Sequence, residues 1–260
     1  IATVSAFERE FVDYCMQSGY AQVKVMTEQA RHEAEKPGAL VGLLSALEDD
    51  DDYLLLAGEN VFDFDLRNLL AVDSDAVVLL YDIHDIAAAS MYGLATIDDN
   101  GFIKSFVEKP SEPRSTLIST GCYFWRREFA LREKLSEYLQ QGGGPDAIGG
   151  FLTWLVENRL SLRGHGVNGR WFDIGDGQSY LCANQSFMRG KTILDPTSKV
   201  SNNTITDSSV GRRSCIGNSI IKGSILLDDV RVSECVITNS IVDNHSKLDG
   251  VTLHDAMVGQ

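Results

Sequence analysis

Basic residues are scarce in this chain. Across 260 residues, 23 Lys and Arg stand against 37 Asp and Glu, a formal net charge of −14 with a pI near 4.7. A nucleic-acid partner is therefore not expected, because such binding draws on clustered cations that release counterions from phosphates. Long apolar runs are missing too: none approaches the ~20 residues of a membrane span, and no signal peptide opens the chain. The expectation is a cytoplasmic protein with no membrane partner. Cys15, Cys122, Cys182, Cys215 and Cys235 show no C-x-x-C spacing, which speaks against zinc and reads as reduced thiols rather than a disulfide framework. His32, His84 and His165 stand alone and read as surface or loop residues rather than metal ligands. A starting Met is lacking and no Gly occurs before Gly19, so the chain reads as lacking its first part. What is present, 43% hydrophobic and 23% charged residues, suits a folded protein whose core needs no staples.

Two regimes of periodicity divide the sequence. Up to about residue 185, short apolar runs alternate with helical patterns, which predicts an α/β domain with a mainly parallel sheet. Val23–Met26, Tyr53–Ala57, Ala76–Tyr81 and Gly121–Trp125 read as strands. Residues 5–18, 38–47, 127–140 and 147–158 read as helices. Ser5 with Glu8 three residues on predicts a capping box for the first, and Pro145-Asp146 predicts the start of the last, after a break at Gly142-Gly143-Gly144. Asp49 to Asp52 reads as a solvated acidic run at a helix end. Gly164, Gly166 and Gly169 read as a flexible approach to the segment after Arg170.

From Val200 the pattern changes. Aliphatic residues stand at Val200, Ile205, Val210, Ile216, Ile221, Leu226, Val232, Ile237, Val242, Leu248, Leu253 and Val258, in steps of 5, 5 and 6 that repeat with a period of 16. Two places before each comes a small or β-branched residue, such as Ser208, Ser214, Ser219, Ser224 or Cys235. That spacing predicts a three-sided coil with one bulky and one small inward side chain per strand. Arg212, Arg213, Lys222, Asp228 and Asp229 would then face solvent. The pattern resembles the hexapeptide repeat of left-handed parallel β-helices. Such coils also serve acyl transfer, which needs a His base. His245 and His254 fall at solvent-facing steps with no protruding loop, so packing and self-association are the expected roles.

Three clusters carry candidate chemistry. Leu54-Leu55-Leu56-Ala57-Gly58-Glu59-Asn60 is an apolar strand ending in a Gly and an acid, the place where ligands sit in an open sheet. Tyr92-Gly93 precedes a turn at Asp98-Asp99-Asn100-Gly101, then Glu108-Lys109-Pro110; an anion beside a cation suits a sugar phosphate, the carboxylate accepting hydroxyl hydrogens and the ammonium holding phosphate. Trp171-Phe172-Asp173-Ile174-Gly175 sets an acid in an apolar context, which is unfavourable unless a cation meets it. Glu59 and Asp173 together suit Mg²⁺, which takes carboxylates plus substrate phosphates.

With Thr120-Gly121-Cys122-Tyr123 added, these motifs arrive in an order and spacing that resemble the sugar-1-phosphate nucleotidyltransferases, the nucleoside-diphosphate-sugar pyrophosphorylases that include glucose-1-phosphate thymidylyltransferases. The resemblance runs from the first helix to the end. It implies a Rossmann-like nucleotidyltransferase domain, N-terminally incomplete, over 1–190, followed by a left-handed parallel β-helix over 191–260. It implies transfer from an NTP to a sugar 1-phosphate, glucose 1-phosphate with dTTP or UTP first and mannose 1-phosphate with GTP second, with Mg²⁺ as cofactor and a homo-oligomer built through the β-helix.

By position, Glu59 and Asp173 fall on the family's metal acids, Glu59 standing where the family has Asp. Glu108 falls on the residue that bonds sugar hydroxyls and Lys109 on the one that holds the sugar phosphate. Gly93 and Thr120 line the sugar pocket, with Asn60, Tyr92, Gly121 and Trp171 as further substrate-binding positions, and Gly38 falls on the glycine that approaches the base. The family's Gly-rich triphosphate loop and the Lys that follows it have no counterpart in these residues. That departure, with Glu59, leaves open a catalytically inactive regulatory or assembly relative.

Overall fold

The computed structural model describes residues 1–28, 37–48 and 51–259, so His32 and the first two acids of the Asp49–Asp52 run lie outside the described residues. The chain divides into two compact units, one of Ile1–Ala57 with Asp63–Gly169 and one of Gly58–Phe62 with Arg170–Gln260. Among the described residues, no helix is long and apolar enough to cross a membrane, and the five cysteines are unbridged.

The first unit opens with β1 (Ala2–Val4), α1 (Glu8–Gln17), β2 (Met26–Glu28), α2 (Ala39–Ala46) and β3 (Tyr53–Leu56). β1 and β2 pair in parallel. The strand expected at Val23–Met26 starts only at Met26, because the preceding residues are held in turns: Tyr20 N–H donates to Cys15 and Val23 N–H to Tyr20. The expected Ser5–Glu8 capping box does not form. Ser5 instead lies in a 3-10 turn, Ser5–Phe7, where its carbonyl accepts the Glu8 N–H, and neither Val4 nor Phe7 gives a side-chain cap.

After β4 (Asn60–Phe62), which belongs to the second unit, come α3 (Arg67–Leu70), β5 (Ala76–Asp82), α4 (Ile86–Ala89), β6 (Gly93–Ile97), β7 (Ile103–Glu108), β8 (Leu117–Trp125), α5 (Leu131–Gln140), α6 (Ile148–Glu157) and β9 (Arg163–Gly166). A six-stranded sheet runs β7-β6-β8-β5-β9, with β3 also paired to β8. Only the β5–β9 pairing in it is parallel, which corrects the expectation of a mainly parallel sheet. The reason is the long strand β8, which lies antiparallel to β3, β5 and β6. Those three and β9 still share one direction, and that shared direction is what the alternation of strands and helices reflects.

The core sits where α5 and α6 cover the sheet: Trp125, Leu135, Phe151, Leu152, Leu155 and Leu162 are each at most 1% exposed and cluster with Val78 and Leu80. Each such side chain contributes about 1.5–3 kcal/mol by leaving water. The helix expected over 127–140 is interrupted at Ala130, whose φ is 55°, so that a 3-10 turn precedes α5. The helix expected from Pro145 starts at Ile148 without a side-chain cap. Gly164 and Gly166 are strand residues of β9, not a flexible approach, and a Cβ at Gly164 would meet Leu80 at 2.6 Å; Gly169, with φ 136°, is in the loop that follows.

In the second unit, β4 pairs antiparallel with β10 (Trp171–Asp173). α7 (Gly177–Met188) follows, started by a capping box between Asp176 and Ser179. This helix belongs with the solenoid rather than the first unit: Gln185 Nε2 donates to the Gly223 carbonyl at 2.7 Å. From Ile193 the chain winds about four turns of a parallel β-solenoid with sheets of five, four and four strands. Each strand pairs with the one 16 residues on, as in Ile216, Val232 and Leu248 or Ile221, Ile237 and Leu253. The bulky inward residues are buried in the middle turns, Ile221 and Ile237 at 0%, while Val200 in the first turn is 43% exposed.

The small inward residues have a bonding role as well as a steric one. Ser208 Oγ accepts the Ser224 N–H at 3.0 Å, Ser224 Oγ the Ser240 N–H and Ser240 Oγ the Ala256 N–H, both at 3.1 Å. Ser214 and Ser219 do the same for Val230 and Cys235. Each hydroxyl thus satisfies a buried corner amide one turn further on, a group that is unfavourable to leave unpaired. From Asn203 on, the residue before each small position is left-handed; Asn202, Asp207, Asn218, Gly223, Asn239 and Gly250 are of the types that tolerate that region.

Candidate functional site

In the first unit, one edge of β8 is shared by two strands. β3 covers its C-terminal half, Leu56 opposite Cys122, and β6 meets its start, Leu94 opposite Ile118. Thr120 and Gly121 lie in the gap between, where Ala57 N–H donates to the Gly121 carbonyl at 2.9 Å. On the other edge, the register with β5 jumps between Val78 and Leu80. Gly121, at φ 74°, supplies the left-handed residue that such a bulge calls for. Thr120 is fully buried, its Oγ1 donating to the Leu79 carbonyl at 3.1 Å. The Thr-Gly pair therefore has a structural reason in the sheet itself.

Gly93 opens β6 opposite Glu108, the last residue of β7. A Cβ at Gly93 would come within 2.6 Å of the Phe106 ring and 2.8 Å of Glu108 Oε2. Lys109 follows at φ 43°, a left-handed conformation in a residue that also precedes Pro110, where an extended backbone is usual. Its amide holds the strained turn in place by donating to the Tyr92 carbonyl at 3.1 Å. Strain of this kind persists only where its surroundings fix it, and it gathers at ligand sites. Glu108 is exposed as a residue, but partial desolvation of its carboxyl raises its pKa above the ordinary value, and Lys109 pulls it back. Tyr92, Gly93, Glu108 and Lys109 thus form one group.

Gly38 stands at the start of α2 with φ 97°. A Cβ there would strike Pro145 at 2.6 Å, and Leu40 N–H donates to the Pro145 carbonyl at 2.9 Å. The glycine is accounted for by this packing against the loop that leads into α6.

The second unit carries the acids. Trp171, Phe172 and Asp173 lie opposite Phe62, Val61 and Asn60, and Ile174 N–H donates to the Glu59 carbonyl at 2.8 Å. Glu59 occupies the turn just before β4, outside the strand alternation that would send neighbouring side chains to opposite faces. Arg170 of the same ribbon stacks its guanidinium 4.1 Å over the Phe187 ring and donates to the Ser186 carbonyl, anchoring β10 on α7. Mg²⁺ takes one or two protein carboxylates and leaves its other positions to water and phosphate. Glu59, in the turn before β4, and Asp173 on β10 occupy neighbouring backbone positions and fit that donor set in kind and number. No group of three or more acids, histidines or cysteines suited to a metal occurs among the described residues.

Outside these groups, His84 is exposed beside Asp82 at 3.1 Å, and burial followed by the Arg163 charge lowers the pKa of His165 on β9. His245 and His254 are exposed on the solenoid near Asp229 and Asp255. One residue the sequence reading passed over is Gly149 in α6, whose added Cβ would fall 1.9 Å from Glu108 Oε2. Its signal was available: Gly149-Gly150 interrupts an otherwise apolar helical pattern.

The nucleotidyl transferase family model matches residues 2–189. Among similar proteins, a glucose-1-phosphate adenylyltransferase of Clostridium novyi (strain NT) is 26% identical over 217 residues, 74% of this chain and 54% of that protein. The bifunctional protein GlmU of Methanococcus aeolicus is 29% identical over 161 residues, 61% of this chain and 37% of that protein. The chain spans about half or less of the length of these two relatives. A solved structure described as a glucose-1-phosphate thymidylyltransferase of Bacillus anthracis, in complex with a sucrose, aligns with a TM-score of 0.57 at 22% identity. The alignment covers 71% of this chain and 73% of that one, and the likeness is one of fold.

Proposed function

The chain belongs to the nucleotidyl transferase family, and from that premise we propose that it moves a nucleotidyl group from an NTP to a sugar 1-phosphate, releasing pyrophosphate. Glucose 1-phosphate is the acceptor we favour, since the names of the adenylyltransferase relative and of the thymidylyltransferase structure share it. Those names add ATP to dTTP and UTP as donors to compare. The observation that carries the reading is the strained Lys109 turn, fixed by Tyr92 and set directly after Glu108.

In this reading Glu108 accepts hydrogens from sugar hydroxyls and Lys109 holds the sugar phosphate as a point charge. Tyr92, Gly93, Thr120 and Gly121 line the sugar side, Asn60 and Trp171 flank the acids, and Gly38 approaches the base. Glu59 and Asp173 hold Mg²⁺, which when bound offsets phosphate charge. The phosphate oxygen of the sugar attacks the α-phosphorus in line, the bond to the β-phosphate oxygen breaks, and pyrophosphate leaves. The protein's share is positioning and charge neutralisation. We assign catalysis to residues 1–190 and packing or self-association to 191–260. The solenoid face with Ile220 and Val236, exposed at 50% and 38%, suits a homo-oligomer. Phosphorylated sugars and NTPs as substrates agree with a cytoplasmic setting. Pyrophosphate release with Mg²⁺, each NTP and glucose 1-phosphate tests the reading.

A further inference from the structure

We propose that Gly149, in the first turn of α6, is a positioning residue that seats the Glu108 carboxylate for sugar recognition; this rests on the reading of Glu108 as the acceptor of sugar hydroxyls. Two consecutive glycines, Gly149 and Gly150, occupy a helix, where glycine is among the poorest formers. Backbone conformation does not call for one at 149, which is not among the positive-φ glycines. Close approach does. A Cβ at Gly149 would lie 1.9 Å from Glu108 Oε2 and 2.7 Å from its carboxyl carbon, while a Cβ at Gly93 would lie 2.8 Å from the same Oε2. One carboxylate oxygen is therefore bracketed by two glycines, one from the sheet and one from the helix.

A side-chain bond between helix and strand opposes widening of the slot. The Thr153 hydroxyl shares its one proton between the Phe106 carbonyl of β7, at 3.0 Å, and the Gly149 carbonyl, at 2.9 Å, tying the first turn of α6 to the strand that carries Glu108. Gly149 itself is buried. Gly150 differs: the nearest atom to its Cβ would be the Tyr138 hydroxyl, at 2.6 Å, far from Glu108 in the sequence of contacts. A methyl group at 149 would displace the Oε2 end of Glu108, an exposed residue whose carboxylate can swing from the slot toward water. The seat also desolvates the carboxylate, in keeping with its raised pKa.

The test uses Gly149→Ala, Glu108→Ala and the double variant, read by titration calorimetry with glucose 1-phosphate, by thermal unfolding and by ¹³C NMR titration of the Glu108 carboxyl. Gly149→Ala is expected to weaken sugar-phosphate binding roughly tenfold or more, the loss of a charge-assisted contact. In the Glu108→Ala background the same change is expected to leave affinity within about twofold and to raise the melting temperature, since Ala is the better helix former. The Glu108 carboxyl in Gly149→Ala is expected to titrate lower than in the wild type. Wild-type binding by Gly149→Ala, or an equal loss in both backgrounds, overturns the proposal. If the wild type binds no sugar 1-phosphate, it is the functional reading that fails. The carboxyl titration then decides the seat alone, and an unshifted Glu108 overturns it.

Discussion

The backbone N–H of Ile174 donates to the carbonyl oxygen of Glu59 at 2.8 Å, and on the next rung Asp173 stands opposite Asn60. Two acids far apart in sequence are thereby brought to adjacent positions by a three-residue ribbon. A divalent cation takes one or two such carboxylates and fills its remaining positions with water and phosphate.

If that pair holds Mg²⁺, Asp173→Asn and Glu59→Gln should each lower turnover by roughly a hundredfold or more, as the loss of one preorganised charge partner does. The concentration of Mg²⁺ giving half-maximal pyrophosphate release should rise as well. Circular dichroism should be unchanged, because the ribbon is held by backbone bonds. Wild-type Mg²⁺ dependence in both variants would contradict the assignment.

Lys109→Gly separates strain from function. A left-handed non-glycine residue costs about 1–2 kcal/mol, part of which returns as chain entropy of the glycine. The variant should therefore equal or exceed the wild type in urea denaturation by up to about 1 kcal/mol. Its KM for the sugar 1-phosphate should rise about tenfold or more through loss of the ammonium.

The solenoid's hydroxyl ladder predicts a local penalty. Ser224→Ala removes the acceptor of the buried Ser240 amide and should destabilise the protein by about 1–3 kcal/mol. Cys215→Ser, at an exposed position, should stay within about 0.5 kcal/mol. Denaturant unfolding of the two variants side by side reads the difference.

Glu108 gives a pH signature. Its folded-state pKa is raised, first by burial and against the pull of Lys109, so its neutral form suits the fold better than its anion. Its contribution is fully present below the ordinary carboxylate range and is lost as pH rises through the elevated value. Glu108→Gln, which stays neutral, should therefore gain stability relative to the wild type as pH rises to 7, and the gain should vanish toward pH 4, in a series of melting curves.

Much of this was legible in the sequence. The 16-residue period placed the inward residues of the solenoid, and Tyr53, Ala76 and Ile148 mark elements whose apolar runs were long enough to read. The antiparallel seating of β8 was not, because an apolar run carries no direction, and the direction of Leu117–Trp125 is set by its partners. The capping box at Ser5 is absent because the chain takes a 3-10 turn over Ser5–Phe7 and the helix begins only at Glu8. At the site, the motifs named Glu108 and Lys109, but the slot around Glu108 needed Gly149, a residue that meets it only through the packing of α6 on β7. The serine ladder had the same obstacle: small size was visible at Ser208 and Ser224, whereas the amide each hydroxyl satisfies lies a full turn away.

The proposed reaction is nucleotidyl transfer to a sugar 1-phosphate. It is tested most directly by incubating the natural polypeptide that carries this sequence with Mg²⁺, each of the NTPs and a panel of sugar 1-phosphates, and measuring pyrophosphate. Release is expected to require both substrates, to be greatest with glucose 1-phosphate and to collapse in Asp173→Asn. Silence across the whole panel from a folded wild-type protein would contradict it.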